Sequence, residues 1–401
     1  MSKLERLIQQ YCPDGVEYVR LGDVMSIQRG ASPRPIQNYL TDDEYGIPWI
    51  KIGDVSIESK YITSTKERIT KEGAAKSRFL KRGSFILSNS MSFGRPYILE
   101  IDGCIHDGWI SMCDFEKHLL PDFLYYLLRS SMVQDFWISK ANSGGAVTNL
   151  NSDIVRSTLI PVPPLPVQEE IVRILDAFTE LQAELQAELQ KRQQQYNFYR
   201  DNLLNFNRGG QEIKWMKLKE IGKVCMCKRI LKEQTVSSGD VPFYKIGTFG
   251  GVADAYISQE LFDSYKSKFS YPQKGDILIS AAGTIGRTVE FDGKPAYFQD
   301  SNIVWLKHDE SIVLNSYLKY CYTLNPWAIS TGGTIARLYN DNILNATIPV
   351  PPIADQQKIV SILDRFDTLT NDLTSGLPAE MEKRRQQYEY YRDRLLTFKR
   401  L

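Results

Sequence analysis

The chain is written twice, and no other feature restricts its fold as much. Residues 160–178 read IPVPPLPVQEEIVRILDAF and recur at 348–366 as IPVPPIADQQKIVSILDRF. Residues 191–206, KRQQQYNFYRDNLLNF, recur at 383–398 as KRRQQYEYYRDRLLTF. Chance does not place two such blocks in the same order, so any architecture must contain a long duplication. Weaker echoes fill the space ahead of each block. VEYVRLGDVMSI (16–27) answers IKWMKLKEIGKV (213–224), and WIKIGD (49–54) answers FYKIGT (243–248). RGSFILSNSMSFGR (82–95) answers KGDILISAAGTIGR (274–287), and SGGAVTNLN (143–151) answers TGGTIARLY (331–339). The tail of each repeat is nearly identical, while the part before it keeps only its punctuation. Two domains therefore share a scaffold and differ in what their surfaces touch.

The prolines of IPVPP remove amide donors and fix an extended backbone, so this segment lies outside any helix. After it, apolar residues fall at Ile171, Leu175, Phe178, Leu181, Leu185, Leu189, Tyr196, Tyr199, Leu203 and Phe206. Steps of three and four describe one amphipathic helix, ~58 Å long from Gln168 to Phe206 at ~1.5 Å per residue. The second copy runs through Ile359, Leu363, Phe366, Leu369 and Leu373, then resumes at Met381, Tyr388, Tyr391, Leu395 and Phe398. Ser375-Gly-Leu-Pro378 is predicted to kink or break it, with Pro378 in the first turn of the resumed segment. Leu175, Phe178, Leu181 and Leu185 are expected to pack antiparallel against Leu363, Phe366, Leu369 and Leu373.

The helix centre holds a smaller repeat, TELQ-AELQ-AELQ at 179–190, against four tetrads at 367–382. One extra tetrad accounts for the four-residue change in offset between the shared blocks. It is either slippage on a solvated face or a ruler of helix length. Upstream, β-rich runs at 47–52, 84–88 and 276–280 alternate with glycine turns, and 119–131 and 316–324 read as short helices. Each half is thus an α+β globule followed by a long helix. The boundaries are a helical segment at 1–15, a globule at 16–165, a long helix at 166–208, a second globule at 209–352 and a long helix at 353–401.

Composition excludes several functions. No run of 18 apolar residues exists, so no membrane span is expected, and the start MSKLERLIQQYCPDG lacks the apolar core of a secretion signal, so a cytoplasmic protein is expected. The net charge of +1 means that a nucleic-acid reading must come from local residues. Cys225 and Cys227 have no second pair to complete a tetrahedral site, so no metal is expected. No GxxxxGK[ST] loop occurs, and Gly283-Thr-Ile-Gly286-Arg287 matches the turn echo, so it reads as a turn. No strand–GxGxxG–helix unit offers a site for S-adenosylmethionine or a dinucleotide. Asn325-Pro-Trp-Ala328 has the wrong third and fourth residues for the Asn-Pro-Pro-aromatic motif of adenine methyltransferases and reads as a helix stop. His106-Asp107 reads as a satisfied surface pair. Catalysis by this chain alone is not expected.

The loops do offer polar reach. Arg29 and Arg34 in RGASPR, and Lys228 and Arg229, follow the first strand of each half. Asn89, Ser92 and Arg95 align with the turn bearing Thr284 and Arg287, and Thr148 and Asn149 with the loop bearing Arg337. Such side chains suit both phosphate and base-edge contacts.

A globular half, an IPVPP segment, a QEEIVRILDAF-type helix and a second copy of all three closely resemble the specificity (HsdS) subunit of type I restriction–modification enzymes, over the whole chain. The resemblance implies two tandem target recognition domains, each reading one part of a split, asymmetric site in double-stranded DNA, with the long helices paired as an antiparallel coiled coil. It implies two methyltransferase (M) subunits and two restriction (R) motor-nuclease subunits as partners. S-adenosylmethionine, ATP and magnesium would then belong to those partners and no cofactor to this chain. The tetrads resemble the family's helix-length repeats, from which the SGLP break departs. Leu175, Phe178, Leu181, Leu185, Tyr196, Tyr199, Leu363, Phe366, Leu369, Leu373, Tyr388 and Tyr391 become candidates for helix pairing and subunit docking. The shared KRQQQYNFYRDNLL and KRRQQYEYYRDRLL segments are the candidate partner-facing surface, since both copies should meet identical subunits. Two readings compete: a coiled-coil scaffold with two peptide-binding globules, and a methyltransferase-fused reader. The first would bind no duplex DNA, and the second would bind S-adenosylmethionine by itself.

Overall fold

The structure is a computed structural model that describes residues 1–56, 59–89, 93–141, 149–206, 213–328, 337–372 and 374–401. The chain forms two compact units, Met1–Gln186 with Met381–Leu401, and Ala187–Glu380. Each unit combines an α+β globule with pieces of both long helices.

In the first unit, the strands Ser26–Arg29, Trp109–Cys113, Phe85–Ser88, Pro96–Leu99 and Tyr61–Ile62 lie in that order in one sheet. A second sheet runs Leu40–Thr41, Glu67–Ile69, Ile47–Ile50, Gly103–Ile105, Arg78–Leu80. Among the described residues the second unit repeats the frame with fewer strands: Gly222–Cys225, Ile303–His308, Ile277–Ser280 and Thr288–Glu290 in one sheet, and Tyr256–Ile257, Val241–Tyr244 and Tyr297–Phe298 in the other. The registers establish the equivalences. Trp49 pairs in parallel with Cys104, as Phe243 does with Tyr297, and Trp109 lies opposite Ser88 as Ile303 lies opposite Ser280. The proline segment leaves each globule as a strand, Leu159–Pro161 on Tyr18–Arg20 and Thr347–Val350 on Lys214–Lys217.

One buried glutamine ties each proline segment to the helix that follows. Gln168 Nε2 donates to the carbonyls of His118 (2.9 Å) and Pro163 (2.8 Å), and its Oε1 accepts the Leu120 N–H (2.9 Å). Gln356 makes the same three bonds, to Ile312 (2.9 Å), Pro351 (2.8 Å) and the Leu314 N–H (2.9 Å). A tyrosine–aspartate bond of 2.5 Å is likewise repeated, Tyr126 to Asp176 and Tyr320 to Asp364.

The central helix, Leu165–Leu204, is unbroken, and the tetrads lie within it. Its counterpart is two helices, Ile353–Asn371 and Leu377–Leu395. The interruption falls where the sequence puts it, with Pro378 in the first turn of the second piece. Asp372 closes it by accepting the Thr374 N–H (2.7 Å) and the Ser375 hydroxyl (2.5 Å). A Cβ on Gly376 would stand 2.4 Å from the Thr368 carbonyl oxygen, so only glycine fits there.

The register of the helix pairing corrects the expectation. In the first unit Phe178 stacks on Tyr391 (ring centroids 5.6 Å apart, 23° between planes), and in the second Tyr199 stacks on Phe366 (5.4 Å, 24°). Leu175 shares a core with Tyr388 and Leu396, and Leu363 shares one with Leu204. The Phe178 block therefore faces the other copy's tyrosine block, not the Leu363–Phe366 block. Leu181 and Leu185 are half-buried, Leu369 is exposed, and Leu373 lies outside the described residues. The two stacks are copies of one contact, since Phe366 is the copy of Phe178 and Tyr391 the copy of Tyr199.

Candidate nucleic-acid interface

The first unit gathers polar side chains around one turn. Strand Ser26–Arg29 pairs with Trp109–Cys113, and the Gly30 N–H continues the ladder to the Trp109 carbonyl (2.8 Å). A Cβ at Gly30 would lie 2.0 Å from the His106 carbonyl oxygen. The missing side chain lets the arginine-bearing loop press against the 106–108 turn. Asp107 is the hub of that turn. Its carboxylate accepts the Ser32 hydroxyl (2.8 Å) and Arg34 (3.3 Å), and its carbonyl accepts Arg29 Nε (3.0 Å) and Asn89 Nδ2 (3.0 Å). The Ser32 hydrogen bond, with help from the neighbouring His106 and Arg29, holds the carboxyl below the usual carboxylate range. Burial lowers His106 in turn, more than Asp107 raises it. Its ring nitrogens lie 3.1 Å from the Ile52 nitrogen and 2.7 Å from the Gly108 nitrogen.

Arg29, Asn89, His106 and Asp107 line a cleft of about 790 Å³, together with Lys51, Lys66 and Asn149. Of the candidates read from the sequence, Arg29, Asn89 and Asn149 line this cleft, and Arg34 is tied to it through Asp107. Arg95 is half-buried and turned to the Tyr97 hydroxyl. Ser92 and Thr148 lie outside the described residues. His106-Asp107 is satisfied as expected, but it is a half-buried pair lining the cleft and not a surface pair; the Ser32 hydroxyl bonds Asp107 and not His106.

The second unit builds the same frame from other side chains. Asp300 stands at the position of Asp107 and accepts Arg229 Nε (2.9 Å). Gln299 replaces His106, its Oε1 accepting the Ile246 N–H (3.0 Å). Arg337 reaches the Ser301 carbonyl (2.7 Å). Lys228 lies over the Phe269 ring at 5.3 Å. Thr284 and Arg287 belong to the neighbouring hairpin turn, where Arg287 donates to the Gly250 carbonyl (3.1 Å). That turn has positive φ at Gly283 (+64°) and Gly286 (+80°), and the Gly286 N–H returns to the Ser280 carbonyl (2.9 Å). Gly94 (φ +64°) does the same to Ser88 at 2.9 Å, so the GTIGR segment is a shared turn.

Sequence reasoning missed Lys51, Lys66 and the role of the 106–107 and 299–300 pairs. The WIKIGD/FYKIGT echo already places Lys51 and Lys245 at one position. The echo fails at the turn itself, where Gly108 is matched by two residues, Ser301 and Asn302.

The shared helix blocks carry a second duplicated surface. Arg200 lies over the Tyr196 ring (5.6 Å) and Arg392 over Tyr388 (5.8 Å). Phe198 meets Tyr199 edge-on at 5.6 Å, and Tyr390 meets Tyr391 at 5.3 Å. Tyr196 is half-buried and Tyr388 buried, whereas Phe198 (65% exposed) and Tyr390 (59%) stand open at equivalent positions. Among the described residues no group of three or more His, Cys, Asp or Glu side chains is placed to hold a metal ion. No described helix is long and apolar enough to cross a membrane.

Two tandem α+β globules with a duplicated long-helix element define a class of internally duplicated two-domain subunits. The model of the type I restriction modification DNA specificity domain matches residues 13–192 and 211–383, and the chain belongs to that family: it is a type I restriction–modification specificity subunit. A putative type I restriction enzyme specificity subunit of Haemophilus influenzae is 54% identical over 284 residues, 69% of this chain and 72% of the relative. The EcoR124I/EcoR124II specificity subunit of Escherichia coli is 34% identical over 72% of this chain and 73% of its own length. Among solved structures, a chain from a type I restriction–modification complex aligns with a TM-score of 0.66 and 19% identity, covering 96% of this chain and 98% of that one. The HsdS subunit from Thermoanaerobacter tengcongensis aligns at 0.52 and 18%, covering 96% of each chain. These two likenesses concern the fold.

Proposed function

We propose that the chain binds double-stranded DNA sequence-specifically, each unit reading one part of a bipartite, asymmetric target. The observation that carries this reading is one frame built twice with different side chains. Asn89, His106 and Asn149 in the first unit are replaced by Ala281, Gln299 and Arg337 in the second, while the backbone bonds around them are kept. Arg29, Arg34 and Lys51 in one unit, and Arg229 and Lys245 in the other, supply charge for the phosphates that set orientation on the duplex. A dimer-like reader with unlike halves implies unlike half-sites.

The duplicated helix surface docks two identical partners, with Phe198 and Tyr390 as equivalent anchors for two methyltransferase subunits. Two restriction subunits complete the enzyme in the cytoplasm. S-adenosylmethionine, ATP and magnesium act on those partners, and this chain performs neither methyl transfer nor cleavage. Methylation-aware sequencing of the host genome, with the gene present and deleted, tests the reading. The expected result is one asymmetric two-part motif that disappears with the gene. An unchanged methylome, together with no binding of duplex DNA by the assembled complex, would favour a peptide-binding scaffold instead.

A further inference from the structure

The two units differ at one buried position in a way that points to a particular base. Asn89 follows the strand Phe85–Ser88, is 8% exposed and lines the cleft of the first unit. Its backbone is fully used: the N–H donates to the Gly108 carbonyl (3.0 Å) and the carbonyl accepts the Leu150 N–H (2.8 Å). The side-chain Nδ2 donates to the Asp107 carbonyl (3.0 Å), which decides which way the amide faces, since only its nitrogen can donate there. One amide hydrogen is thereby spent. The second hydrogen and Oδ1 have no partner among the described residues, and Oδ1 is not sealed in the core. An almost buried amide held by its scaffold and presenting one acceptor and one donor to a cleft is an unfilled recognition element.

The scaffold does not need that amide. Ala281 occupies the same place in the second unit, with the same backbone bonds to Asn302 (2.7 Å) and Leu338 (2.8 Å). The asparagine is therefore an addition to the frame and not a part of it. We infer that Asn89 reads an adenine in the half-site held by the first unit, Oδ1 accepting from N6 and the free Nδ2 hydrogen donating to N7. This rests on the DNA-reading function proposed above. In the major groove only adenine offers a donor beside an acceptor in that arrangement; guanine presents two acceptors and would set O6 against Oδ1. Arg29, Lys66 and Lys51, the last paired with Glu67 at 2.6 Å, also line the cleft and would supply charge for the flanking phosphates. Among the described residues no Phe, Tyr or Trp lines the cleft, so a base edge still in the stack fits it better than a base swung out between aromatic rings.

The test uses the chain assembled with its methyltransferase partners. Binding selection on randomised duplexes with Asn89→Ala should relax a single A·T pair of one half-site, discrimination there falling roughly 10- to 100-fold. The other half-site and the spacer should not change. In the wild-type complex, 7-deaza-adenine at that same position, which removes N7, should weaken binding, and the variant should not feel the replacement. An unchanged motif, a loss spread equally over all sequences, or no adenine of the half-site sensitive to 7-deaza substitution would each overturn the inference. The 7-deaza series needs no mutant, so it decides even if Asn89→Ala fails to assemble. If the wild-type complex shows no sequence preference at all, the proposed function fails and not this assignment alone.

Discussion

Gln168 offers the sharpest test of how the first globule is joined to its helix. The side chain is fully buried and makes three hydrogen bonds. Gln168→Leu keeps most of the volume and removes all three, stranding the Leu120 N–H and the carbonyls of His118 and Pro163. At ~1 kcal/mol net per bond the loss is about 3 kcal/mol, and the cost of leaving groups unpaired raises it toward about 5 kcal/mol. Gln168→Glu tests the donor pattern separately. An ionised carboxylate would face two carbonyl oxygens, while a protonated one can donate to one of them and still accept from Leu120. Its folded pKa must then rise above the unfolded value of ~4.3. A raised carboxyl is least damaging below the unfolded pKa, and stability is lost as pH rises through the folded pKa, by ~1.4 kcal/mol per unit. The Glu variant should therefore lie nearest the wild type near pH 4 and furthest from it near pH 8, whereas the Leu deficit stays flat with pH. Denaturant unfolding gives the energies, and amide hydrogen exchange gives the location. The Leu120 N–H should lose protection in Gln168→Leu, while the Leu314 N–H, held by Gln356 in the same way, serves as the internal control. Unaltered exchange at Leu120, or a Glu variant no better in acid than at pH 8, would refute the reasoning.

Three further outcomes are expected. Phe178→Ala removes the stack on Tyr391 from a half-buried site and should cost about 2–3 kcal/mol, below the ~3–5 of a fully buried phenylalanine; in a double-mutant cycle it should couple with Tyr391→Ala and not with Phe366→Ala. Arg337→Ala should alter only the half-site that Asn89→Ala leaves alone, relaxing one position by ~1–3 kcal/mol in binding selections, and a change in the Asn89 half-site would invalidate the division of labour. Deleting residues 187–190 removes one tetrad, about 6 Å of helix, and keeps leucines at four-residue spacing through Leu181 and Leu185. The methylated motif should keep both half-sites and lose about one to two base pairs of spacer at ~3.4 Å each; an unchanged spacer would reduce the tetrads to neutral slippage.

What the sequence disclosed and what it hid divide along one physical line. Periodicity and prolines report on the chain's own backbone, so the central helix, the break before Pro378 and the GTIGR turn were all legible. Partners across space are not written in a local pattern. Gln168 stood in plain view inside the most repeated block, yet nothing in its neighbours says that its amide closes on His118 and Pro163. Phe178 was recognisable as a pairing residue, but matching like block to like chose Phe366 where the fold supplies Tyr391. The cleft was half legible for the same reason. Arg29, Arg34, Asn89 and Asn149 were found as polar residues in equivalent loops, whereas Asp107 and Asp300 were obscured by the one-residue difference in the turn beside them.

That difference also shows how the frame tolerates variation. Around positions 89 and 281 the ladder is closed by backbone groups alone, Asn89 to Gly108 and Leu150, Ala281 to Asn302 and Leu338. The loop at Ile52 or Ile246 is held by an acceptor that histidine or glutamine supplies equally well. Since main-chain bonds carry the fold there, the side chains that face the cleft can change without unfolding it. In the helices the opposite holds: Gln168, Gln356, Tyr126 and Tyr320 hold the fold through side chains, and those positions are the ones the duplication has kept. The cleft can therefore diverge between the two units while the junction of globule and helix stays the same. A substitution that alters both at once is expected only where the two kinds of position touch, as in the Leu150 N–H that reaches Asn89 from the loop leading into the Asn151-capped helix.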